Sequence, residues 1–146
     1  DAAPVAVTMP QLIEANGSAA GGIRVVANGV AADEAFYGAE VPGTRLGVAK
    51  PVATRPFIVG ETSIVNYDTL LMTSTVISDD DAYTLTKALY ENWEKLTKDY
   101  PPLRSVAQAA LALEEPTVPY HPGAVRFYKE VGLWTDAHEA AQARLK

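Results

Sequence analysis

The chain has 146 residues, 48% of them hydrophobic and 21% charged, which leaves room for one ordinary domain with a real core and marks a globular chain. The formal net charge is −6 and no basic run occurs, which argues against broad nucleic-acid binding, a task that needs clustered Lys and Arg. Cysteine is absent and only His121 and His138 represent histidine, so disulfides, thiolate metal sites and His-rich metal sites are excluded.

In chain order, Asp1 to Thr8 reads as a short buried strand. Pro10 opens a helix over Gln11 to Ala15, and the turn dipeptide Asn16-Gly17 closes it. Ile23 to Ala27 reads as a second strand, so strand, short helix and strand predict a βαβ unit and a parallel sheet. Ala31 to Tyr37 suits one or two helical turns, and Val41 to Thr44 a turn. Residues 45–60 are extended, with Pro51 and Pro56 favouring an edge or crossover. Thr62 to Ile77 is the richest β stretch, long for one strand, with Asn66-Tyr67-Asp68 as its natural interruption.

Ser78 then caps a helix whose first turn carries Asp79, Asp80 and Asp81. Ala82, Leu85, Leu89, Trp93, Leu96 and Tyr100 recur at helical spacing until Pro101-Pro102 stops the run. Pro102 opens a further helix, Leu103 to Leu113. In the stretch Val118 to Leu133, Pro122 suits the first helical position and His121 or Tyr120 the cap. Val125, Tyr128 and the Val131/Gly132 edge share a face with Phe127 beside it, and Gly132 suits the left-handed stop before Leu133 and Trp134 fold back. Thr135 or Asp136 caps a last helix, Ala137 to Leu145. The composition shift at Ser78 separates an α/β segment, 1–77, from a helical segment, 78–146.

Read for chemistry, His121 is a candidate general base, but no Ser or Cys nucleophile motif accompanies it, which favours a local hydrogen bond that fixes the helix start. Asp79 to Asp81 lack the offsets of a calcium loop and read as a solvated helix start. Gly21-Gly22 is no phosphate loop, and Tyr83, Tyr90, Trp93 and Tyr100 suit helix packing better than base stacking. No cofactor or metal is expected.

Pro119-x-His121-Pro122-Gly123-Ala124, followed by Phe127-Tyr128 and Glu130-x-Gly132, resembles the C-terminal signature of the TAXI family, the solute-binding proteins of TRAP transporters. The family usually has Tyr where this chain has Phe127. The run Tyr83 to Trp93 after an aspartate-rich turn is similar too, and Pro42-Gly43, Val59-Gly60 and Tyr67 to Leu71 follow in matching order as a return segment between lobes. The first forty residues match only in their strand–helix–strand order.

The resemblance implies an α/β chain forming part of a two-lobed periplasmic-binding-protein-like fold of type II, with an α/β first half and a helical second half. It implies a periplasmic, non-enzymatic receptor that captures a small organic anion or amino acid, such as glutamate or a related carboxylate, and delivers it to the membrane permease subunits of a TRAP transporter. Thr62, Ser63 and Tyr67, with Asp68, then fall on the crossover, as a cleft lining or equally as a polar strand face exposed to water, and Arg45, Arg55, hydroxyls or helix N-termini are available for a carboxylate. The step at Asp1 is similar to one near the family's cleft. Residues near 42–45 and 60–70 are expected to hinge. The start at Asp1 without Met suggests a processed, tagged or truncated chain, and the resemblance favours truncation. A truncated chain exposes strand edges, so a dimer and weak or absent solute binding are expected. Two other classes stay open: a small α/β hydrolase using His121, and an interaction module that displays the apolar face of helix 79–99.

Overall fold

The computed structural model describes residues 2–27 and 33–145. They divide into two compact units, Asp1–Thr69 and Leu70–Lys146.

In the first unit, α1 spans Gln11–Ser18, so Asn16-Gly17 lies inside the helix. The turn comes later because the Asn16 carboxamide oxygen accepts from the Ile23 N–H at 3.0 Å, while Gly21 and Gly22 take φ of 82° and 73°. The strand expected over Asp1 to Thr8 does not form in residues 2–8, where Val5 is exposed. Ile23 to Ala27 forms no strand, and its described backbone pairing is one bond, Val25 N–H to the Phe57 carbonyl at 3.1 Å. Residues 2–5 are exposed, and although Ile23 and Val25 pack on the core, the segment that carries them meets no strand to pair with among the described residues.

The sheet is therefore not the parallel one expected. It is an antiparallel pair among the described residues, β1 (Thr44–Ala49) with β2 (Thr62–Tyr67), in the register Arg45↔Asn66, Gly47↔Ile64 and Ala49↔Thr62. Pro51 and Pro56 fall beyond β1, so the loop carries the residues that cannot join a ladder and β1 stays free of them. The long β stretch stops at Tyr67, at the interruption anticipated there. Before β1, α2 runs Glu34–Glu40, started by the Asp33 carboxylate accepting from Phe36 N–H at 2.8 Å; Ala31 and Ala32 lie outside the described residues. The core is Ala49, Phe57 and Ile58, with Leu12, Ile23, Val25 and Ile64 packed on it.

In the second unit, α3 spans Asp79–Glu91 and α4 Trp93–Asp99. Asn92 breaks the single helix expected, its side-chain amide donating back to the Ala88 carbonyl at 2.8 Å. The expected helix Leu103 to Leu113 is instead two 3₁₀ turns, Pro101–Ser105 and Gln108–Leu111. Gln108 donates to the Tyr90 carbonyl at 2.7 Å, Tyr128 Oη donates to the Leu111 carbonyl at 3.0 Å, and Leu113 N–H donates to Tyr120 Oη at 2.6 Å. The Tyr128 and Tyr120 hydroxyls thus take backbone groups of Leu111 and Leu113, and Gln108 ties the second turn to α3.

α5 spans Pro122–Glu130 and α6 Asp136–Leu145. His121 is the cap of α5, its Nδ1 accepting from Gly123 N–H at 3.3 Å. Gly132, at φ 72°, ends the helix: Leu133 N–H bonds to the Tyr128 carbonyl at 2.9 Å and Gly132 N–H to the Lys129 carbonyl at 3.2 Å, both bonds of a Schellman turn. The core is Ala112, Phe127 and Tyr128, joined by Tyr83, Tyr90, Tyr120, Leu133 and Trp134. Phe127, placed beside the buried face by its spacing, is its centre at 2% exposure, with Tyr83 and Tyr90 edge-on at 5.7 and 5.4 Å. The inner face of α3 is correspondingly Ala82, Tyr83 and Tyr90, and Leu85 is 46% exposed.

Candidate ligand-binding site

The residues proposed to meet a ligand sit on the β1–β2 hairpin, and strand alternation sorts them. Arg45, opposite Asn66, and Thr62, opposite Ala49, lie on one face. Ser63, opposite Val48, and Tyr67, opposite Thr44, lie on the other. Arg45 and Thr62 stand four ladder positions apart on their face, as do Ser63 and Tyr67 on theirs, about 13 Å along the strands, so the hairpin does not gather the four around one small ligand. Asp1 is outside the described residues.

Each side chain has a defined setting. The Thr62 hydroxyl donates to the Gly60 carbonyl at 2.9 Å. The Ser63 and Tyr67 hydroxyls make no protein hydrogen bond among the described residues, and Tyr67 is 63% exposed. Arg45 forms a fork with Asp68: Nη1 donates to Oδ2 at 2.8 Å and Nη2 to Oδ1 at 2.7 Å. Those two bonds hold the Asp68 carboxyl below the usual carboxylate range and push the Arg45 guanidinium up. Glu34 stands nearby, accepting from Leu46 N–H at 3.2 Å on the edge of β1 that faces away from β2. A β-carbon at Gly47 would collide with the Asn66 amide, which lies across β1 beside Arg45.

The pairing of Arg45 with Asp68 escaped the reading of the chain. Its signal was opposite charges near the start of one β segment and just past the end of the other, which meet only once the strands pair antiparallel.

The helical unit holds the motif residues in a different role. Asp80 accepts from Arg126 at 2.8 Å, and that guanidinium lies 4.4 Å from the centre of the Tyr83 ring. Tyr83 Oη donates to Glu130 at 2.6 Å, which pushes its phenol up. Asp79 lies 3.6 Å from His121 Nδ1. Asp79, Asp80 and Asp81 thus serve helix and ion-pair contacts, and no acidic or histidine group suited to a metal occurs among the described residues.

A buried polar set was also missed. His138 is buried, with Nδ1 accepting from Thr135 N–H at 3.1 Å and Nε2 3.3 Å from the Ala112 carbonyl. The first bond makes Nε2 the donor of the second. Gln142 holds Tyr120 by both backbone groups at 2.8 Å. The spacing Thr135-x-x-His138 is that of a capping box, with His in the place of Glu. A shallow open depression of about 630 Å³ lies beside α4, lined by Trp93, Glu94, Lys98, Arg104 and Gln108 among others. Arg104 is spent there on the Thr97 and Lys98 carbonyls at 3.1 Å each, closing the C-terminus of α4.

A comparison with curated proteins finds no match. A comparison with protein families matches residues 53–132 to the NMT1-like family, a periplasmic solute-binding type. The matched span is more than half of the chain, and it includes β2, α3 and the whole of the α5 motif. Among the described residues no helix is long and apolar enough to cross a membrane. The chain belongs to the NMT1-like family.

Proposed function

We propose that the chain is a periplasmic receptor, or the part of one, that captures a small organic anion and hands it to the permease of a TRAP-type transporter. The observation that carries the reading is the family match over residues 53–132, which spans the two segments most similar to TAXI proteins, Tyr83 to Trp93 and Pro119 to Gly132. Glutamate or a related carboxylate is the ligand class. Arg45 is its anchor, because a guanidinium offers a planar fork that fits a carboxylate. Thr62 shares the face of Arg45, whereas Ser63 and Tyr67 lie on the opposite face and do not reach a ligand held by Arg45. In a two-lobed receptor, binding energy would shift an open–closed equilibrium, with residues near 42–45 and 60–70 as hinges.

The two other classes have less support. His121 serves α5 as its cap and no Gly-x-Ser-x-Gly occurs, which disfavours a hydrolase. The aromatic face of α3 packs inward on Phe127, which disfavours an interaction module built on that face. A thermal-shift screen of the chain against amino acids and small dicarboxylates tests the proposal. A concentration-dependent rise in melting temperature with one of these anions supports it. Ester hydrolysis that disappears in His121→Ala, without any anion-dependent shift, contradicts it.

A further inference from the structure

We infer that Asp68 is a resident carboxylate on Arg45, and that an anionic solute reaches this guanidinium by exchange with Asp68. The inference rests on the solute-binding reading and adds to it how the site is kept when empty.

The geometry is that of ligand recognition carried out within the chain. Both Asp68 oxygens meet both terminal nitrogens of Arg45, at 2.8 and 2.7 Å. A free carboxylate would use the same two donors in the same plane. The other ion pairs of the described residues lack this form: Arg126–Asp80 is a single bond at 2.8 Å, and Lys98–Glu94 and Lys87–Glu91 are one-turn helix pairs.

The two partners differ in freedom. Arg45 sits inside β1, opposite Asn66, so its backbone is held by the ladder. Asp68 is the first residue beyond β2 and has no place in the ladder. Its carboxylate can swing away without breaking a strand bond. Solvent reaches the pair, with side-chain exposures of 53% for Arg45 and 26% for Asp68. Glu34 adds a second negative charge near Arg45, which weakens the hold on every anion, so only one that makes both bonds of the fork offsets it. The site therefore selects a planar carboxylate over a singly bonding anion, and it is weakened by its own occupant. An exposed pair of this kind costs a competing ligand about a factor of two to five in affinity.

The test is a titration of the chain with sodium glutamate and with succinate, followed in amide and arginine-side-chain NMR spectra. Wild type, Asp68→Asn and Asp68→Glu are compared, each with its amide spectrum as the check on folding. Asp68→Asn should bind about two- to fivefold tighter than wild type, with the Arg45 Nε–H signal moving on binding. Asp68→Glu, which restores a resident carboxylate, should stay with the wild type. Equal affinity in wild type and Asp68→Asn, with the Arg45 signal unmoved, overturns the exchange and leaves solute binding in place. Absence of binding in all three folded proteins overturns both.

Discussion

Gly123 in α5 lies so close to α3 that the carbonyl oxygen of Asp79 occupies the position a β-carbon would take. Tyr83 N, at 2.8 Å, and Ala82 Cβ, at 3.0 Å, close the remaining space. Two of these three atoms are backbone, so the neighbours cannot turn aside. Gly123→Ala must push the helices apart and loosen Phe127 between Tyr83 and Tyr90. The expected loss is about 1–3 kcal/mol, read as a lower urea midpoint. Gly17→Ala is the contrast: nothing lies within 4 Å, and alanine in α1 should stabilise the first unit slightly. An unchanged midpoint for Gly123→Ala would mean that the two helices are further apart.

Ser78 starts α3 with two bonds to one residue. Its Oγ accepts from Asp81 N–H at 3.1 Å and donates to the Asp81 carboxylate at 2.7 Å. Ser78→Ala should cost about 1 kcal/mol and fray the first turn. Ser78→Thr should keep most of the stability. Amide exchange at Asp80, Asp81 and Ala82 reads the fraying directly; protection equal to wild type in the alanine variant would deny the cap its role.

Tyr128 carries an alkaline signature. Burial first, and Tyr120 second, push its phenol up to about 12, above the unfolded value of about 10. The neutral form is favoured in the folded state, so the stabilisation is full below about pH 10 and is lost as pH rises through about 12. Unfolding free energy measured from pH 9 to 12 should fall in that window. Tyr128→Phe should flatten the fall and, by leaving the Leu111 carbonyl without its donor, cost about 1 kcal/mol at neutral pH. A fall of equal slope in the variant would assign the effect elsewhere.

The Arg45–Asp68 fork gives the opposite sign. Asp68 is held below the unfolded carboxylate range, so its contribution is present above about pH 4 and is lost as pH falls through the folded value. Because Arg45 is more than half exposed, the pair is worth less than about 1 kcal/mol and should weaken in salt. Wild type and Asp68→Asn should therefore differ slightly at pH 7 in low salt and converge in acid. A difference that persists in acid would point to shape rather than charge.

In the second half the helix ends set by local chemistry were legible from the chain, while the break at Asn92 and the 3₁₀ turns in place of a helix over Leu103 to Leu113 were not. Ser78, Pro122 and Gly132 act within one turn of themselves, and the structure places them as a cap, a first helical residue and a left-handed stop. The first half was not legible in the same way. Residues 2–8 and 23–27 have strand-like composition, but a strand needs a partner, and spacing within a segment cannot name one. The same limit hid the faces of the hairpin: Arg45 and Thr62 part from Ser63 and Tyr67 only through the register. It also placed Phe127 at the edge of a stripe whose centre it forms, since Tyr83 and Tyr90 approach from another helix.

Calorimetric titration of the chain with small carboxylates, glutamate first, tests the central claim most directly. Solute binding predicts a weak but saturable heat, with one solute per chain, that is lost in Arg45→Ala. A folded chain that gives no saturable heat with any of these anions at millimolar concentration contradicts it.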